Sequence, residues 1–265
     1  MPRLAANLST LFTELPFLER FGAAAAAGFN RVEYQFPYGL AAAAAIGARA
    51  QAAGVQVVLH NLPIGDEARG DRGIAGLPGR SDEFRRGVAL AIKYAQAAGC
   101  QQLNCLAGLR VVGSTREQQL ATLIENLRDA ADQLQTAGMT LLIEPLNPVT
   151  MPGFLLPTSS QAMTVIKAVQ RPNLRLQFDL FQMQMAEGNL ATTIEGLLPY
   201  IGHMQIAGVP GRHEPDSGEL DYGWLLEHID RLGYQGAIGC EYHPRGATLA
   251  GLAWARPYLT NTDTA

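Results

Sequence analysis

Residues Leu141 to Asn147 read LLIEPLN, and this stretch decides the fold. Three aliphatic residues lead directly into Glu144, and Pro145 follows it. A short apolar run is typical of a buried strand, and a proline keeps the residue before it extended. A carboxylate at the end of a buried strand either caps a surface turn or is held at a site. The other strands of the chain distinguish these two possibilities.

Seven further β-rich runs alternate with helical stretches along the 265-residue chain. Eight strands, each followed by a crossover, in roughly 250 residues are typical of a (β/α)8 barrel. We therefore predict a single-domain α/β fold, a TIM barrel over residues 1–258 with a frayed C-terminal tail at residues 259–265. A doubly wound open sheet is the alternative, but the chain has neither a G-x-G nor a P-loop motif. The predicted strands are residues 3–8, 31–34, 55–60, 101–106, 140–144, 174–179, 203–207 and 237–241.

Three helix starts can be read from capping patterns between the strands. Ser114 with Glu117 fits a capping box, and a second box begins at Thr158. Asp221 fits the N-cap of a helix whose buried side includes Trp224. These patterns predict helices after the fourth, fifth and seventh strands.

Composition limits the functions that the chain can have. The net charge of −4 gives no basic footprint for nucleic acid, and no apolar run is long enough to span a membrane. Three cysteines, an odd number, are typical of reduced thiols in a cytoplasmic protein, and no signal peptide is visible. The apolar stretches FLLP and LFQM could form a homo-oligomer contact or could cap the barrel, and both remain open.

Polar residues occupy the ends of all eight predicted strands. In a barrel the carboxyl ends of the strands form one mouth, where barrel enzymes keep their chemistry. Taken singly, a carboxylate also fits a helix N-cap, His60 fits a buried core histidine, and Asn104 fits a residue that ties down a loop. Four carboxylates around one cavity, however, would repel one another without a positive partner. The residues are Asn7, Glu33, His60, Asn104, Glu144, Asp179, Gln205 and Glu241.

Four of these residues suggest a metal and a proton-transfer pair. Glu144, Asp179, Gln205 and Glu241 follow successive strands and offer oxygen ligands, which Mg²⁺ and Mn²⁺ prefer. Glu144 and Glu241 would lie on opposite sides of the mouth, where one could take a proton from a carbon beside a carbonyl and the other return it. The predicted reaction is an aldose–ketose type isomerisation or an epimerisation.

A polar substrate needs an anchor, and two long loops supply cations. Arg72 lies in the loop after the third strand, and Arg212 and His213 lie in the loop after the seventh. An arginine can grip a carboxylate through two hydrogen bonds. We predict that these three residues bind substrate together with His60 and Asn104.

Eight ordered motifs resemble the hydroxypyruvate isomerase family, a branch of the xylose isomerase-like barrels. The resemblance covers residues 3–258 and implies a TIM barrel that interconverts hydroxypyruvate and tartronate semialdehyde. It also implies that Glu144 and Glu241 transfer the protons, and that the four oxygen ligands match the superfamily's metal positions. His243 stands where the family usually has lysine, so we add it to the predicted substrate-binding residues. The motifs are ANLSTLF, VEYQFPY, LHNLPIGD, RGIAGLPGR, LLIEPLN, FDLFQMQ, HMQIAGVPGRHEPDSGELDY and GCEYHPRG.

Three alternatives accompany this expectation. The related 2-oxo-tetronate isomerases share the same glutamates and the AGVPGRHEPD loop, so a four-carbon substrate is the nearest alternative. The same superfamily contains metal-dependent endonucleases, which would need a histidine-rich metal cluster and a basic groove; this chain has five histidines and a net negative charge. A non-catalytic binding module would not require the paired glutamates.

Overall fold

The computed structural model describes residues 1–259 and contains eight parallel strands. Each strand pairs with the next, and the last pairs with the first through Leu4 and Ile238, so the sheet closes into a barrel. The (β/α)8 prediction is confirmed, and the open doubly wound sheet is wrong. The strands are β1 (Arg3–Asn7), β2 (Arg31–Tyr34), β3 (Gln56–Asn61), β4 (Gln102–Cys105), β5 (Thr140–Ile143), β6 (Leu174–Asp179), β7 (Ile201–Ile206) and β8 (Ala237–Cys240).

Helices connect the strands and surround the barrel. The final helix includes residue 259, and the predicted frayed tail lies otherwise outside the described residues. Within residues 1–259, none of the helices combines the length and the apolar character needed to cross a membrane. The helices are α1 (Arg20–Ala26), α2 (Ala43–Ala53), α3 (Ser81–Ala98), α4 (Arg116–Thr136), α5 (Ser159–Val169), α6 (Leu180–Ala186), α7 (Leu190–Leu197), α8 (Tyr222–Arg231) and α9 (Arg256–Leu259), with 3₁₀ turns at Phe17–Glu19, Glu67–Arg69, Leu198–Tyr200 and Thr248–Ala255.

The start of α4 differs by one residue from the sequence expectation. Thr115 is the N-cap: its hydroxyl accepts a hydrogen bond from the Gln118 backbone N–H at 3.2 Å, and the Gln118 side chain accepts one from the Thr115 backbone N–H at 2.9 Å. The Ser114–Glu117 box is therefore wrong. Both pairs fit the S/T-x-x-E/Q pattern, and the sequence alone does not choose between adjacent frames.

The other two helix starts are confirmed, with one correction. Thr158 accepts a hydrogen bond from the Gln161 backbone N–H, and Asp221 accepts one from the Trp224 backbone N–H at 2.9 Å. Trp224 was expected on the buried side of α8, but it is 47% exposed and its ring stacks on His228. The buried side of α8 consists of Tyr222, Leu225, Leu226 and Ile229.

Strand alternation carries Glu144 into the barrel interior. Leu141 and Ile143 belong to the main core between the strands and the helices. Leu142 belongs instead to a small cluster with residues of β1, β3 and β8, and strands that are not neighbours can meet only inside the barrel. Burying one such leucine contributes about 1.5–3 kcal/mol. Glu144 lies two residues beyond Leu142 and therefore faces the same interior.

Helices α2 and α3 approach each other closely where α2 has a glycine. A Cβ on Gly47 of α2 would lie 2.0 Å from the carbonyl oxygen of Ala97 on α3. A glycine at position 47 is thus a packing requirement.

The two apolar stretches that could have formed a dimer contact lie inside the monomer. Phe154, Leu155 and Leu156 of FLLP are buried, and LFQM forms the buried start of α6. These side chains pack beside the barrel mouth and offer no exposed apolar patch, so neither stretch supports a homo-oligomer contact.

Candidate active site

A cavity of about 210 Å³ opens at the carboxyl ends of the strands. Both glutamates that the sequence predicted as a pair contribute to its wall, and Arg72 and Arg212 do as well. The loops after β3 and β7 therefore reach the same cavity. The wall is formed by Gln35, Phe36, Asn61, Ile64, Glu67, Arg72, Leu106, Glu144, Leu146, Met151, Gln177, Gln182, Arg212 and Glu241.

Glu144 is buried and has a single side-chain hydrogen bond to the residues from 1 to 259. Nδ2 of Asn104 donates to Oε2 of Glu144 at 2.7 Å. Burial raises the pKa of the Glu144 carboxyl well above its usual range, and the neighbouring carboxylates of Glu241 and Asp179 raise it further. Glu144 is thus biased towards its protonated form.

Glu241 has more donors around it. Nε2 of Gln35 and Nδ2 of Asn7 donate to its Oε1 at 2.5 and 3.3 Å, and Nη2 of Arg212 donates to its Oε2 at 2.5 Å. Burial raises the pKa of Glu241, while the Arg212 guanidinium acts against that rise. The pKa of Glu241 is raised to about 7 and that of Glu144 well above its usual range, so the surroundings of Glu241 favour its ionised form more than those of Glu144 do.

Asp179 serves both as a helix cap and as a member of the site. Its Oδ1 accepts hydrogen bonds from the backbone N–H groups of Phe181 and Gln182 at the start of α6. Its Oδ2 accepts one from Nη2 of Arg212 at 3.0 Å. Burial raises the pKa of Asp179, and the Arg212 charge opposes this. The cap fixes the carboxylate so that its second oxygen faces the Arg212 guanidinium.

Arg212 is the positive partner that the carboxylates require. Its guanidinium bridges Asp179 and Glu241 and lies 4.8 Å from the centre of the Phe181 ring. Its φ of 54° places the backbone in the left-handed region, which a non-glycine residue adopts at a cost. The loop after β7 therefore holds this arginine in a specific conformation between two carboxylates.

Three carboxylates form a group that could hold a cation. Ligand oxygens of Glu144, Asp179 and Glu241 lie within 4.8 Å of one another. This all-oxygen set fits Mg²⁺ or Mn²⁺. Gln205, the fourth predicted ligand, has both ends of its amide engaged elsewhere, because it donates to Glu33 and accepts from Gln177, each at 2.7 Å.

Glu33 was expected at the mouth but is enclosed within the barrel. Its Oε1 accepts hydrogen bonds from Asn7 and Gln205 at 2.8 and 2.7 Å, and its Oε2 lies 2.6 Å from Nε2 of His203. Glu33 is fully buried and does not line the cavity. A buried carboxylate whose oxygens are both hydrogen-bonded within the protein has a structural role.

His60 does not reach the mouth. Its ring stacks on Tyr34 at 5.6 Å and lies 3.4 Å from the Tyr38 hydroxyl, between the barrel and the helices. The sequence assigned the end of β3 to residue 60, but the strand continues to Asn61, and it is Asn61 that lines the cavity. Because side chains alternate along a strand, Asn61 points into the barrel and His60 points outward, towards the helices.

The remaining predicted substrate-binding residues divide between the cavity wall and its surroundings. Asn104 lies behind Glu144 and orients it, while Arg72 lines the cavity. Nδ1 of His213 donates to the carbonyl oxygen of His243 at 2.8 Å, and neither ring lines the cavity. These two histidines connect the loops that support Arg212, whose carbonyl oxygen accepts a hydrogen bond from the His243 backbone N–H.

Sequence reasoning missed four amide side chains of the cavity wall. Gln177 precedes Asp179 by two residues on β6, so strand alternation could have identified it. Gln35 directly follows β2, and Asn61 ends β3. Gln182 lies within α6, and no sequence signal marks it.

Comparisons with known proteins agree with this geometry. A family model described as xylose isomerase-like TIM barrel matches residues 21–258. The 2-oxo-tetronate isomerase of Cupriavidus necator is 48% identical over 259 residues, which cover 98% of this chain and 99% of the relative. The hydroxypyruvate isomerase of Escherichia coli is 47% identical over 258 residues, covering 97% of this chain and all of the relative.

A solved structure is equally similar. A crystal structure from Brucella melitensis, described as an AP endonuclease of family 2, is 47% identical and superposes with a TM-score of 0.95. The match covers 97% of this chain and 99% of that one. The barrel and its connections are therefore shared over the whole length of the match.

Proposed function

The chain belongs to the xylose isomerase-like TIM barrel family and is an isomerase, and we propose that it interconverts hydroxypyruvate and tartronate semialdehyde. The observation that carries the proposal is the pair of buried glutamates, Glu144 and Glu241, in the wall of one small cavity with Arg212 beside them. Paired carboxylates of this kind suit proton transfer between adjacent carbons.

The reaction moves one hydrogen between two carbons. A base removes a proton from C3 of hydroxypyruvate, and the electrons of the C–H bond form the C2–C3 double bond of an enediolate. A proton is then delivered to C2, and the C3 hydroxyl loses its proton while the C2 oxygen gains one. The C3 oxygen becomes the aldehyde of tartronate semialdehyde, and the C2 oxygen becomes its hydroxyl. Atoms and charge balance, since substrate and product are isomers.

The surroundings of the two glutamates suggest how they divide the work. Arg212, Gln35 and Asn7 stabilise the ionised form of Glu241, so Glu241 is the base that takes the C3 proton. Burial and neighbouring carboxylates favour the protonated form of Glu144, so Glu144 is the acid that delivers a proton to C2. Each such group contributes about 10²–10⁴-fold to the rate.

One arginine would bind the substrate carboxylate, and a second balances the buried negative charge. Arg72 lines the cavity; its Nη1 donates to the Asp71 carbonyl oxygen at 2.6 Å and lies 4.0 Å from the Glu67 carboxylate, which leaves its other two nitrogens for an incoming carboxylate. Arg212 is already committed to Asp179 and Glu241. We therefore assign the carboxylate grip to Arg72, with Arg212 holding the carboxylates in place.

A divalent cation, Mg²⁺ or Mn²⁺, is part of the proposal. Glu144, Asp179 and Glu241 would hold it, and Gln205 remains a predicted ligand whose oxygen already accepts a bond from Gln177. When bound, such an ion stabilises negative charge that develops on the oxygens of a keto acid. A cytoplasmic location is also proposed, supported by three buried cysteines that are all free thiols.

The test is turnover of hydroxypyruvate by the purified protein, with the product reduced by a tartronate semialdehyde reductase. Glu144→Gln and Glu241→Gln should each lower the rate by about 10²–10⁴-fold. Glu117→Gln, the same change on the exposed first turn of α4, is the control. Assays after EDTA treatment, and with Mg²⁺ or Mn²⁺ restored, decide whether the ion is required. If the folded wild-type protein does not turn over hydroxypyruvate, the three-carbon acid is ruled out as its substrate.

The second candidate substrate is a 2-oxo-tetronate, one carbon longer. The observation in its favour is that the relative from Cupriavidus necator is 48% identical, against 47% for the hydroxypyruvate isomerase. Parallel measurement of kcat/KM for the two acids decides between them, because a pocket that fits one acid better gives it the higher value.

Charge argues against a nucleic-acid substrate. The Brucella structure carries an endonuclease description, but this chain has a net charge of −4. The three-carboxylate group among residues 1–259 includes no histidine. Phosphate backbones are bound by clustered cations, so a small keto acid suits this cavity better.

A further inference from the structure

A chain of hydrogen bonds runs from the enclosed Glu33 to the wall of the cavity. Oε1 of Glu33 accepts a bond from Nε2 of Gln205, and Oε1 of Gln205 accepts one from Nε2 of Gln177, both at 2.7 Å. All three side chains are buried, and Gln177 lines the cavity. The chain therefore connects a closed part of the barrel to the site.

The direction of every bond in this chain is fixed by Glu33. Oε1 of Glu33 is an acceptor, because the Asn7 amide and the Gln205 amide both donate to it. An amide nitrogen only donates, so Gln205 must turn its oxygen towards Gln177. Gln177 must then use its nitrogen, which leaves its carbonyl oxygen as the free end.

That carbonyl oxygen has no partner. Oε1 of Gln177 is a buried atom without a hydrogen bond among the described residues, and the side chain is 1% exposed. Gln182, a second glutamine in the same wall, differs, because its Oε1 accepts bonds from the backbone and side chain of Asn147. Buried carbonyl oxygens in native proteins are normally satisfied, so this one requires an external donor.

We propose that Gln177 binds substrate by accepting a hydrogen bond from one of its hydroxyl groups, and that Glu33 and Gln205 are positioning residues that aim the oxygen. The substrate class rests on the proposed function: a small hydroxy acid. A fixed acceptor selects a hydroxyl, which can donate, over a hydrogen atom or a ketone oxygen, which cannot. Gln177 thus distinguishes hydroxy acids from their deoxy analogues.

Gly239 on β8 leaves room for the Glu33 carboxylate, where the chain of hydrogen bonds begins. A Cβ at this position would lie 2.3 Å from both carboxylate oxygens of Glu33. Glu33 is held by three side chains and cannot move aside without breaking its bonds. Gly239→Ala therefore disturbs the aim of Gln177 without changing a residue of the cavity wall.

The test measures binding of three non-reacting acids by isothermal titration calorimetry. Each enantiomer of glycerate carries two hydroxyls, lactate lacks the terminal one, and 3-hydroxypropanoate lacks the other. The wild type should bind glycerate about tenfold more tightly than the acid that lacks the recognised hydroxyl. Gln177→Met, which keeps the volume and removes the acceptor, should bring this ratio close to one by weakening glycerate alone. Gln96→Met on the exposed side of α3 is the matched control and should keep the ratio.

Positioning is tested by variants that leave Gln177 intact. Gly239→Ala and Glu33→Gln should lower the glycerate preference while circular dichroism shows a folded barrel. If Gly239→Ala does not fold, Glu33→Gln carries this test. In turnover, Gln177→Met should raise KM more than it lowers kcat.

Four outcomes overturn the proposal, and the first three concern relative affinities. They are equal weakening of all three acids in Gln177→Met, an unchanged glycerate preference in that variant, and absence of any hydroxyl preference in the wild type. Wild-type protein that binds none of the acids overturns it as well. The isomerase reaction is judged separately by hydroxypyruvate turnover, so failure of one assignment does not decide the other.

Discussion

Glu33 and Glu144 are both glutamates at strand ends of one barrel, yet their surroundings are opposite. Glu33 has three polar side chains bonded to its carboxylate and faces no open space. Glu144 has one bond, from Asn104, and faces the cavity. Burial alone therefore does not identify a reactive carboxylate. The number of bonds that it still lacks, and the space in front of it, distinguish the two roles.

The largest expected effect separates the two glutamates by activity. Glu144→Gln should lower kcat by about 10²–10⁴-fold, or about 3–5 kcal/mol of transition-state stabilisation, because the neutral amide cannot transfer a proton. Its free energy of unfolding should not fall, since burial already favours an uncharged group there. Steady-state kinetics and urea unfolding on one preparation check both parts. A Glu144→Gln variant that loses both stability and activity would contradict the proposed difference between Glu144 and Glu33.

The next effect concerns His60, a second fully buried polar side chain. Burial lowers its pKa from the usual 6.5 to about 4, so the unfolded chain binds a proton more readily than the folded protein. Stability from this group is fully present above about pH 6.5 and is lost as the pH falls to about 4, a total of about 3 kcal/mol.

His60→Phe keeps a ring against Tyr34 and removes the titration. Urea unfolding of the variant across this pH range should show a smaller loss of stability than in the wild type, although acidic groups contribute to both curves. Parallel curves for the two proteins would contradict the assignment.

Glu33→Gln is expected to show the reverse of Glu144→Gln. An amide at this position brings a donor against Gln205 or His203, and a buried group left unpaired costs about 1–3 kcal/mol. Differential scanning calorimetry should show a Tm lower by about 2–4 °C for each kcal/mol. kcat should change far less than in Glu144→Gln. A fall in kcat as large as that of Glu144→Gln would place Glu33 in the chemistry.

The smallest expected effect concerns Thr115, which lies outside the surroundings of both Glu33 and Glu144 and gives a baseline for stability. Thr115→Ala removes the hydroxyl that caps α4 and should cost about 1 kcal/mol of stability. The kinetic constants should not change, because Thr115 is exposed and remote from the cavity. Ser114→Ala, one residue earlier, is the matched control and should cost less, and the reverse order would favour the frame that the sequence suggested.

Much of the fold could be predicted because its signals are local. Each strand appears as a short apolar run, and each polar residue at its end is visible in the sequence, so Glu144, Asp179 and Glu241 could be placed at one mouth. Arg212 could be named from its loop, but its bridge between two carboxylates depends on a left-handed backbone conformation that no local pattern specifies.

The errors came from registers that tertiary structure decides. His60 was assigned to the mouth because β3 continues one residue beyond the predicted end. Glu33 was expected at the mouth, yet its carboxylate is enclosed in the barrel and bonds to Gln205, which stays a predicted metal ligand. Register shifts between Val32 and Glu33 on β2 and between Leu176 and Gln177 on β6 change which side chains meet. Which side chains meet is determined by the strand pairing of the closed barrel, and the local sequence does not specify it.

Closure of the barrel also sets when the site can exist during synthesis. Asn7 on β1 donates to Glu241 beyond β8, and the two residues are 234 positions apart. At about 5–20 residues per second, a ribosome needs roughly 10–50 seconds to pass from one to the other. Throughout that time β1 lacks its β8 neighbour and presents an unpaired edge. Nascent chains arrested before residue 237 should therefore be sensitive to protease and prone to bind chaperones, and full-length chains released from the ribosome should lose both properties.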